Sequence, residues 1–183
     1  MLPGRFFWRK IDFCGEVSIN AVRYYLIDKV VYLELNSHLI ALKNVALSED
    51  VYADHFYGNP IMPGSLQIES LAQAGTVLLE VSSRFTIKAV LIMVEKTKFR
   101  ELVRPGDQLT VAVDVVTLET DVAQLDGTIH VGERLVASGR LMFSLQPIDE
   151  YYPPRVRHLT AMFYDSVLRD AELVGVDYPV KDQ

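Results

Sequence analysis

Residues 55–79 read HFYGNPIMPGSLQIESLAQAGTVLL, and this stretch decides how the rest of the chain is interpreted. Segment 55–64 starts with a histidine and contains Gly-Asn-Pro and Pro-Gly, which are turn-forming sequences. From Gly64 the apolar spacing predicts a helix that runs to about Ser82. Apolar side chains cover nearly its whole circumference, as is typical of a helix buried on most sides. Glu69 is the one charged group in the first half, and we expect it to be functional or partnered because an isolated buried carboxylate is costly.

The sequence on both sides of this helix predicts strands. Residues 22–35 are rich in Val, Tyr, Leu and Ile, and residues 38–47 alternate after a turn at Asn36-Ser37-His38, which predicts a hairpin. Further segments rich in β-branched or aromatic residues fall at 87–100, 108–118, 121–131 and 134–146. One long buried helix with an antiparallel meander is an α+β arrangement, in which a curved sheet wraps the helix.

The chain of 183 residues is long enough for a single domain with a real core, and a segment at each end lies outside the predicted helix and strands. Residues 1–20 contain several aromatic side chains, which indicate packing on the sheet or on a partner subunit. In the C-terminal extension, 147–183, apolar residues at helical spacing follow Pro153-Pro154 and predict an amphipathic helix over about 155–173. We expect this helix to cover the sheet or brace an oligomer, with a regulatory or docking role as the alternative.

Composition and charge argue against several classes of function. Hydrophobic residues make up 50% of the chain, and the formal net charge of -6 at pH 7 argues against non-specific nucleic-acid binding. The longest apolar run, Ala89–Val94, is too short to span a bilayer, and the N-terminus lacks the apolar core of a signal peptide. Cys14 is the only cysteine, and neither it nor the 4 histidines show metal-ligand spacing. We therefore expect a cytoplasmic protein without a membrane span, a metal or a nucleic-acid partner.

Several motifs together resemble those of the FabZ-type 3-hydroxyacyl-[acyl-carrier-protein] dehydratases. The first is His-Phe-x-Gly-Asn-Pro-Ile-Met-Pro-Gly at 55–64, followed by Leu-x-x-Glu and Ala-Gln-Ala. Lys-Phe-Arg at 98–100 and Val-Arg-Pro-Gly-Asp-Gln-Leu at 103–109 resemble a second landmark, and 23–30 is a weaker version of another. The resemblance covers about residues 20–146 and implies a hot-dog fold. It also implies conversion of (3R)-hydroxyacyl thioesters to trans-2-enoyl thioesters, with no cofactor beyond the phosphopantetheine arm of the acyl carrier protein.

The residues of the motif match what elimination of water requires. A base must remove the C2 proton, an acid must protonate the leaving hydroxyl, and a donor must stabilise the thioester oxygen. His55 is the candidate base because imidazole titrates near neutral pH, and Glu69 is the candidate acid because burial would favour its protonated form. Gly64 is the candidate charge stabiliser because it begins a helix, whose first N–H groups are unpaired. Ser65 and Gln73 are further candidates for oxyanion or substrate binding.

Each of these assignments has a structural alternative. His55 is otherwise a satisfied structural histidine, Glu69 a hydrogen-bonded core glutamate, and Gly64 part of a plain Pro-Gly turn. Gln73 is equally well explained as support for the helix. Glu69 and Ser65 stand where FabA-type enzymes, which also isomerise the double bond, usually carry Asp and Cys, so the sequence favours simple dehydration.

The resemblance also implies partners. In the family, the histidine and the glutamate of one active site come from different subunits, which implies a homodimer with shared sites, or a trimer of dimers. A locally basic stretch is a candidate docking surface for an acidic acyl carrier protein, with a solvated strand edge as the alternative. The residues proposed for docking are Lys96, Lys98, Arg100 and Arg104.

Three alternative functions stay open at this point. One is a hot-dog acyl thioesterase, which usually lacks this pairing of His and Glu. Another is a non-catalytic acyl-binding or scaffold protein, which would be expected to lose His55 or Glu69, whereas both are present. The third is a dehydratase of a specialised polyketide or polyene pathway instead of fatty-acid synthesis. Tyr57, at a position where the family commonly has Pro, and the added termini are compatible with a specialised role.

Overall fold

The computed structural model describes residues 24–151 and 157–176, with the backbone alone for 157–161. The aromatic segment 1–20, for which packing was predicted, lies outside the described residues. In chain order the elements are β1 Lys29–Glu34, β2 His38–Asn44, a 3₁₀ turn Asp50–Ala53, α1 Gly64–Ser82, β3 Ile87–Phe99, β4 Gln108–Leu118, β5 Val122–Val131, β6 Arg134–Pro147, α2 Ile148–Tyr151, α3 Arg157–Val167 and β7 Glu172–Val174. Within this part of the chain, no helix combines the length and the hydrophobicity needed to cross a bilayer.

In the described residues the strands form one sheet in the order β3-β6-β5-β4-β2-β1-β7. All neighbouring pairs are antiparallel except β1 and β7, which run parallel. The hairpins follow from local turn chemistry. Asn36 between β1 and β2 and Gly132 between β5 and β6 both have positive φ, a conformation that Asn and Gly adopt at little cost. The predicted α+β arrangement is confirmed.

Helix α1 lies very close to the sheet. A Cβ atom on Gly75 would come within 2.8 Å of the Phe143 ring, and one on Gly127 of β5 would come within 2.7 Å of Leu71 Cδ2. The absence of side chains at these two points lets the helix and the sheet approach each other. From Ser70 onward most of α1 is buried, as predicted, whereas its first turns are only half-buried in the single chain.

The two ends of the sheet differ from the prediction. Residues 24–28 are not a strand, because the backbone N–H of Leu26 donates to the side chain of Gln73 at 2.8 Å instead of to a neighbouring strand. The predicted helix of about 155–173 ends at Val167. Residues 172–174 form β7, which pairs with Tyr32–Glu34 of β1.

The last turn of α1 holds a buried carboxylate that the sequence analysis did not single out. Glu80 is 0% exposed. Its carboxylate lies 2.7 Å from Lys88 Nζ and accepts hydrogen bonds from the Ala89 N–H at 3.2 Å and from the Tyr164 hydroxyl. A buried charge is tolerated only when it is paired and hydrogen-bonded in this way. Because Tyr164 belongs to α3, this cluster attaches the C-terminal extension to the far end of the central helix.

Candidate active site

The motif loop holds His55 by hydrogen bonds to both its backbone and its side chain. The His55 Nδ1 atom lies 2.9 Å from the Ile61 carbonyl oxygen, and the Ile61 N–H donates to the His55 carbonyl, also at 2.9 Å. A carbonyl oxygen only accepts, so Nδ1 carries the proton. In the neutral imidazole, Nε2 is then left with a free lone pair. The ring also stacks on Phe56, with centroids 4.3 Å apart.

The second motif supports the first. Arg104 Nη1 donates to the side-chain oxygen of Asn59 at 2.6 Å, and the Arg104 N–H donates to the Asp107 carboxylate at 2.8 Å. The Met62 N–H donates to the Val103 carbonyl at 2.8 Å, so the loop is joined to segment 103–107 at two points. This segment is the Val-Arg-Pro-Gly-Asp motif, and its hydrogen bonds help to fix the conformation of the loop that carries His55.

The start of α1 presents unpaired donors. The N–H groups of Leu66 and Gln67 both donate to the Pro63 carbonyl, at 3.1 and 3.2 Å. Within the described residues, the N–H groups of Gly64 and Ser65 have no acceptor. They lie at the positive end of a helix of 19 residues, where a developing negative charge is stabilised. Both residues lie at the helix start, as predicted, and their role in charge stabilisation stays a prediction.

Phe99 is a neighbour of this helix start that the sequence analysis did not identify. A Cβ atom on Gly64 would lie 2.8 Å from the Phe99 ring, so a larger residue at position 64 would collide with it. Phe99 itself is 51% exposed in the single chain. Its position in the Lys-Phe-Arg motif is the sequence feature that could have drawn attention to Phe99. The motif alone does not show which element the ring contacts.

Glu69 is held by a neighbour on its own helix. It is half-buried, and its Oε1 atom accepts a hydrogen bond from Gln73 Nε2 at 3.0 Å. The same Nε2 donates to the Tyr24 carbonyl at 2.9 Å, while Gln73 Oε1 accepts the Leu26 N–H. The Gln73 amide is therefore engaged with the carboxylate on one side and with segment 24–26 on the other.

Tyr24 is a second residue near Glu69 that was not predicted to belong to the site. Burial raises the pKa of the Tyr24 phenol, and the negative charge of Glu69 raises it further. Tyr24 is 57% exposed in the single chain, so its direct geometric link to Glu69 is the Gln73 amide, which bonds both to the Tyr24 carbonyl and to the carboxylate. Only the weaker motif at 23–30 pointed to this stretch, and it gave no reason to select Tyr24.

The candidate base and acid have separate supports in one chain. His55 is held by the motif loop and Glu69 by Gln73, and in the described part of the chain the two side chains share no hydrogen bond or ion pair. In the same residues, no group of three or more His, Cys, Asp or Glu is placed to hold a metal ion.

The candidate docking residues fall into two kinds. Lys96 and Lys98 are exposed on β3. Arg100 and Arg104 are also exposed, but their guanidinium groups donate to Ser138 Oγ at 2.8 Å and to Asn59 at 2.6 Å. Arg104 thus supports the motif loop through its hydrogen bond to Asn59, and this structural role is separate from its proposed role in docking.

A long helix wrapped by an antiparallel sheet defines the hot-dog class, and a solved structure agrees with this architecture. A Streptococcus mutans UA159 protein, solved bound to acetyl CoA, aligns with a TM-score of 0.55. The alignment covers 70% of this chain and 96% of that protein at 18% sequence identity, which supports the fold alone.

Sequence comparison then identifies the family. A model of the FabA-like domain matches residues 20–140. The 3-hydroxyacyl-[acyl-carrier-protein] dehydratase FabZ of Clostridioides difficile is 37% identical over 136 residues, which cover 74% of this chain and 96% of that protein. The FabZ of Symbiobacterium thermophilum is 38% identical over 131 residues, or 71% of this chain and 92% of that protein. The chain therefore belongs to the FabA-like family, and the resemblance to its FabZ-type members is confirmed.

The contact between Arg104 and Asn59 gives a prediction for the motif loop. In Arg104→Ala, loss of this charge-assisted hydrogen bond should let the loop open more often, so the Asn59 and Ile61 amides should exchange about tenfold faster. Hydrogen exchange with residue resolution measures this. Arg100→Ala is the matched control because Arg100 donates to Ser138 on β6 and not to the loop. Equal exchange in the two variants would show that Arg104 does not hold the loop.

Proposed function

We propose that this chain dehydrates (3R)-hydroxyacyl-[acyl-carrier-protein] thioesters to trans-2-enoyl thioesters in fatty-acid biosynthesis. Membership in the FabA-like family and the FabZ relatives support the reaction. The structural observation that carries the proposal is the hydrogen bond between His55 Nδ1 and the Ile61 carbonyl. It fixes the tautomer in which Nε2 is ready to accept a proton.

In this mechanism three groups act on the substrate. His55 Nε2 removes the C2 proton, and the charge that develops on the thioester oxygen is stabilised by the N–H groups of Gly64 and Ser65, which have no acceptor among the described residues. Glu69, in its protonated form, gives its proton to the C3 hydroxyl, which leaves as water. Proton transfer by each positioned group typically contributes about 10²–10⁴-fold in rate, and one oxyanion donor contributes about 3 kcal/mol. The proposal uses no metal or redox cofactor, since the phosphopantetheine arm belongs to the carrier protein.

We further propose that the active form is a homodimer in which His55 and Glu69 of one site come from different subunits. Three observations support this. The two side chains share no hydrogen bond or ion pair in the described part of one chain. The first turns of α1 are only half-buried. Strand β3 forms an edge of the sheet and exposes Ile92, Met93 and Val94, at 53%, 47% and 37%. A long apolar edge strand favours pairing with a second copy. Assembly into a trimer of dimers stays a prediction from the sequence.

The acyl carrier protein is the proposed partner, and the exposed lysines of β3 are its proposed docking site. Carrier proteins are acidic, so Lys96 and Lys98 would attract them over a distance set by ionic strength. Arg100 and Arg104 contribute to the same positive field while bonding to Ser138 and Asn59. The proposal places the enzyme in the cytoplasm.

Substitution of either candidate catalytic residue should abolish most activity without unfolding the protein. We expect His55→Ala and Glu69→Gln each to lower kcat by about 10²–10⁴-fold, because each removes one proton-transfer step. The measurement is enoyl-thioester absorbance with 3-hydroxyacyl carrier proteins, together with thermal unfolding. Glu119→Gln, in an exposed turn, is the control and should retain full activity. Release of free thiol by the wild type, without enoyl product, would indicate a thioesterase and contradict the proposal.

Mixing the two inactive variants tests the shared site. If each site takes His55 from one subunit and Glu69 from the other, a mixed dimer of His55→Ala and Glu69→Gln contains one intact site. After subunit exchange at equal concentrations, activity should recover to about a quarter of the wild-type value, since half of the dimers are mixed. Each variant incubated alone is the control. No recovery, despite proven subunit exchange, would place both groups of a site in one subunit.

Charge reversal on β3 tests the docking surface. The double variant Lys96→Glu, Lys98→Glu should raise KM for the acyl carrier protein about tenfold at low salt, and the difference should shrink as salt screens the charges. KM for the same acyl group on free pantetheine should not change, because that substrate lacks the acidic protein. An equal rise for both substrates would point to a damaged site. An unchanged carrier-protein KM would remove these lysines from the docking surface.

A further inference from the structure

The C-terminal extension contacts the segment that holds the candidate acid. Residues 24–26 lie between two supports. On one side, Gln73 binds the Tyr24 carbonyl at 2.9 Å and the Leu26 N–H at 2.8 Å. On the other side, the Tyr25 ring stacks on Phe163 of α3, with centroids 4.7 Å apart and planes 20° from parallel. Gln73 and Phe163 therefore hold the same short piece of backbone, from α1 and from α3.

Helix α3 is itself firmly anchored. Tyr164, next to Phe163, donates to the buried carboxylate of Glu80 and packs edge-on against Phe85, with centroids 4.8 Å apart. Val167 and Leu168 are also buried in the core. Because an α-helix rises about 1.5 Å per residue, Glu80 lies about 16 Å along α1 from Glu69. The extension thus contacts the C-terminal end of α1 directly. It is linked to Glu69, near the other end of the helix, through Tyr25.

We propose that Phe163 is a positioning residue for Glu69, acting through Tyr25, the backbone of residues 24–26 and the amide of Gln73. This inference rests on the proposed role of Glu69 as the acid. Helix α3 lies beyond residues 20–140, which the FabA-like model matches, so the family motif does not assign it this role. The contribution of α3 therefore lies outside the matched domain, whereas Tyr25 and Gln73 lie within it.

The acid needs such support because it stands on the half-buried part of α1. A glutamate side chain loses rotamer entropy when it is held in one conformation, and the hydrogen bond from Gln73 selects that conformation. Gln73 can hold the carboxylate steadily only if its own remaining partners, at Tyr24 and Leu26, do not move. A shift of about 1 Å in a catalytic group can cost about 10²-fold in rate, so loosening residues 24–26 should reduce turnover more than binding.

Substitution of Phe163 tests this chain of contacts. Phe163→Leu removes the stack on Tyr25 and keeps an apolar side chain, whereas Phe163→Tyr keeps the ring and should behave as the wild type. We expect Phe163→Leu to lower kcat by about ten- to a hundredfold with KM changed less than about twofold. The Leu26 amide, which bonds to Gln73, should exchange about tenfold faster. Gln73→Leu should lower kcat similarly, and the double variant should lose little more than either single variant.

Phe85→Leu is the matched control, because Phe85 contacts α3 through Tyr164 and not through Tyr25. It should lower thermal stability without changing kcat or the exchange of the Leu26 amide. Two results would overturn the positioning role of Phe163 and leave the proposed function standing. One is an unchanged exchange rate of the Leu26 amide in Phe163→Leu. The other is an unchanged kcat in this variant when the wild type is active. If the wild type dehydrates no hydroxyacyl thioester, the proposed function is refuted. The role of Phe163 in orienting a catalytic acid is then refuted as well.

Discussion

The close packing of α1 against the sheet is the constraint on which the other features depend. Gly75 on the helix and Gly127 on β5 leave no room for a Cβ atom, since Phe143 and Leu71 already fill the space opposite them. Protein interiors packed at this density do not deform smoothly, so the axis of α1 is fixed relative to the strands. The helix start, where the N–H groups of Gly64 and Ser65 have no acceptor among the described residues, and Glu69 farther along are thereby held at fixed positions relative to the sheet.

Much of this fold was predictable because its signals are local. The helix 64–82 begins and ends where the sequence pattern placed it, and the strands from Ile87 to Pro147 lie within one or two residues of their predicted bounds. The predictions are wrong where the secondary structure depends on partners that are distant in the sequence. Residues 24–28 have strand-like composition, yet the Leu26 N–H is taken by Gln73, 47 positions away. Likewise β7 has only three residues and exists because β1 offers it a free edge.

The candidate site shows the same division between local and distant information. The motif at 55–73, through its resemblance to the FabZ type, selected the histidine, the glutamate and the helix start as candidates, because these follow one another in a single loop and helix. The partner of His55 Nδ1 could not be predicted, since any of several carbonyls in the loop was within reach before the turns were known. Phe99 lies against Gly64 from β3, and Tyr24 is linked to Glu69 through the Gln73 amide, and no periodicity in the sequence predicts these contacts. The contact between Glu80 and Tyr164 was equally unpredictable, because the two residues are 84 positions apart in the sequence.

Strand β7 has an effect on how far copies of this chain can assemble. It lies alongside Tyr32–Glu34 and shields that stretch of one border of the sheet, while the border formed by β3 stays open in the described part of the chain. Unprotected borders on both sides would allow molecules to add one after another into a ribbon without end. Because β7 is itself the terminal strand and has only 3 residues, it offers few unpaired backbone groups to a second copy. Joining through the sheet is therefore favoured at the β3 border, and a symmetric pair formed there uses that border of both molecules.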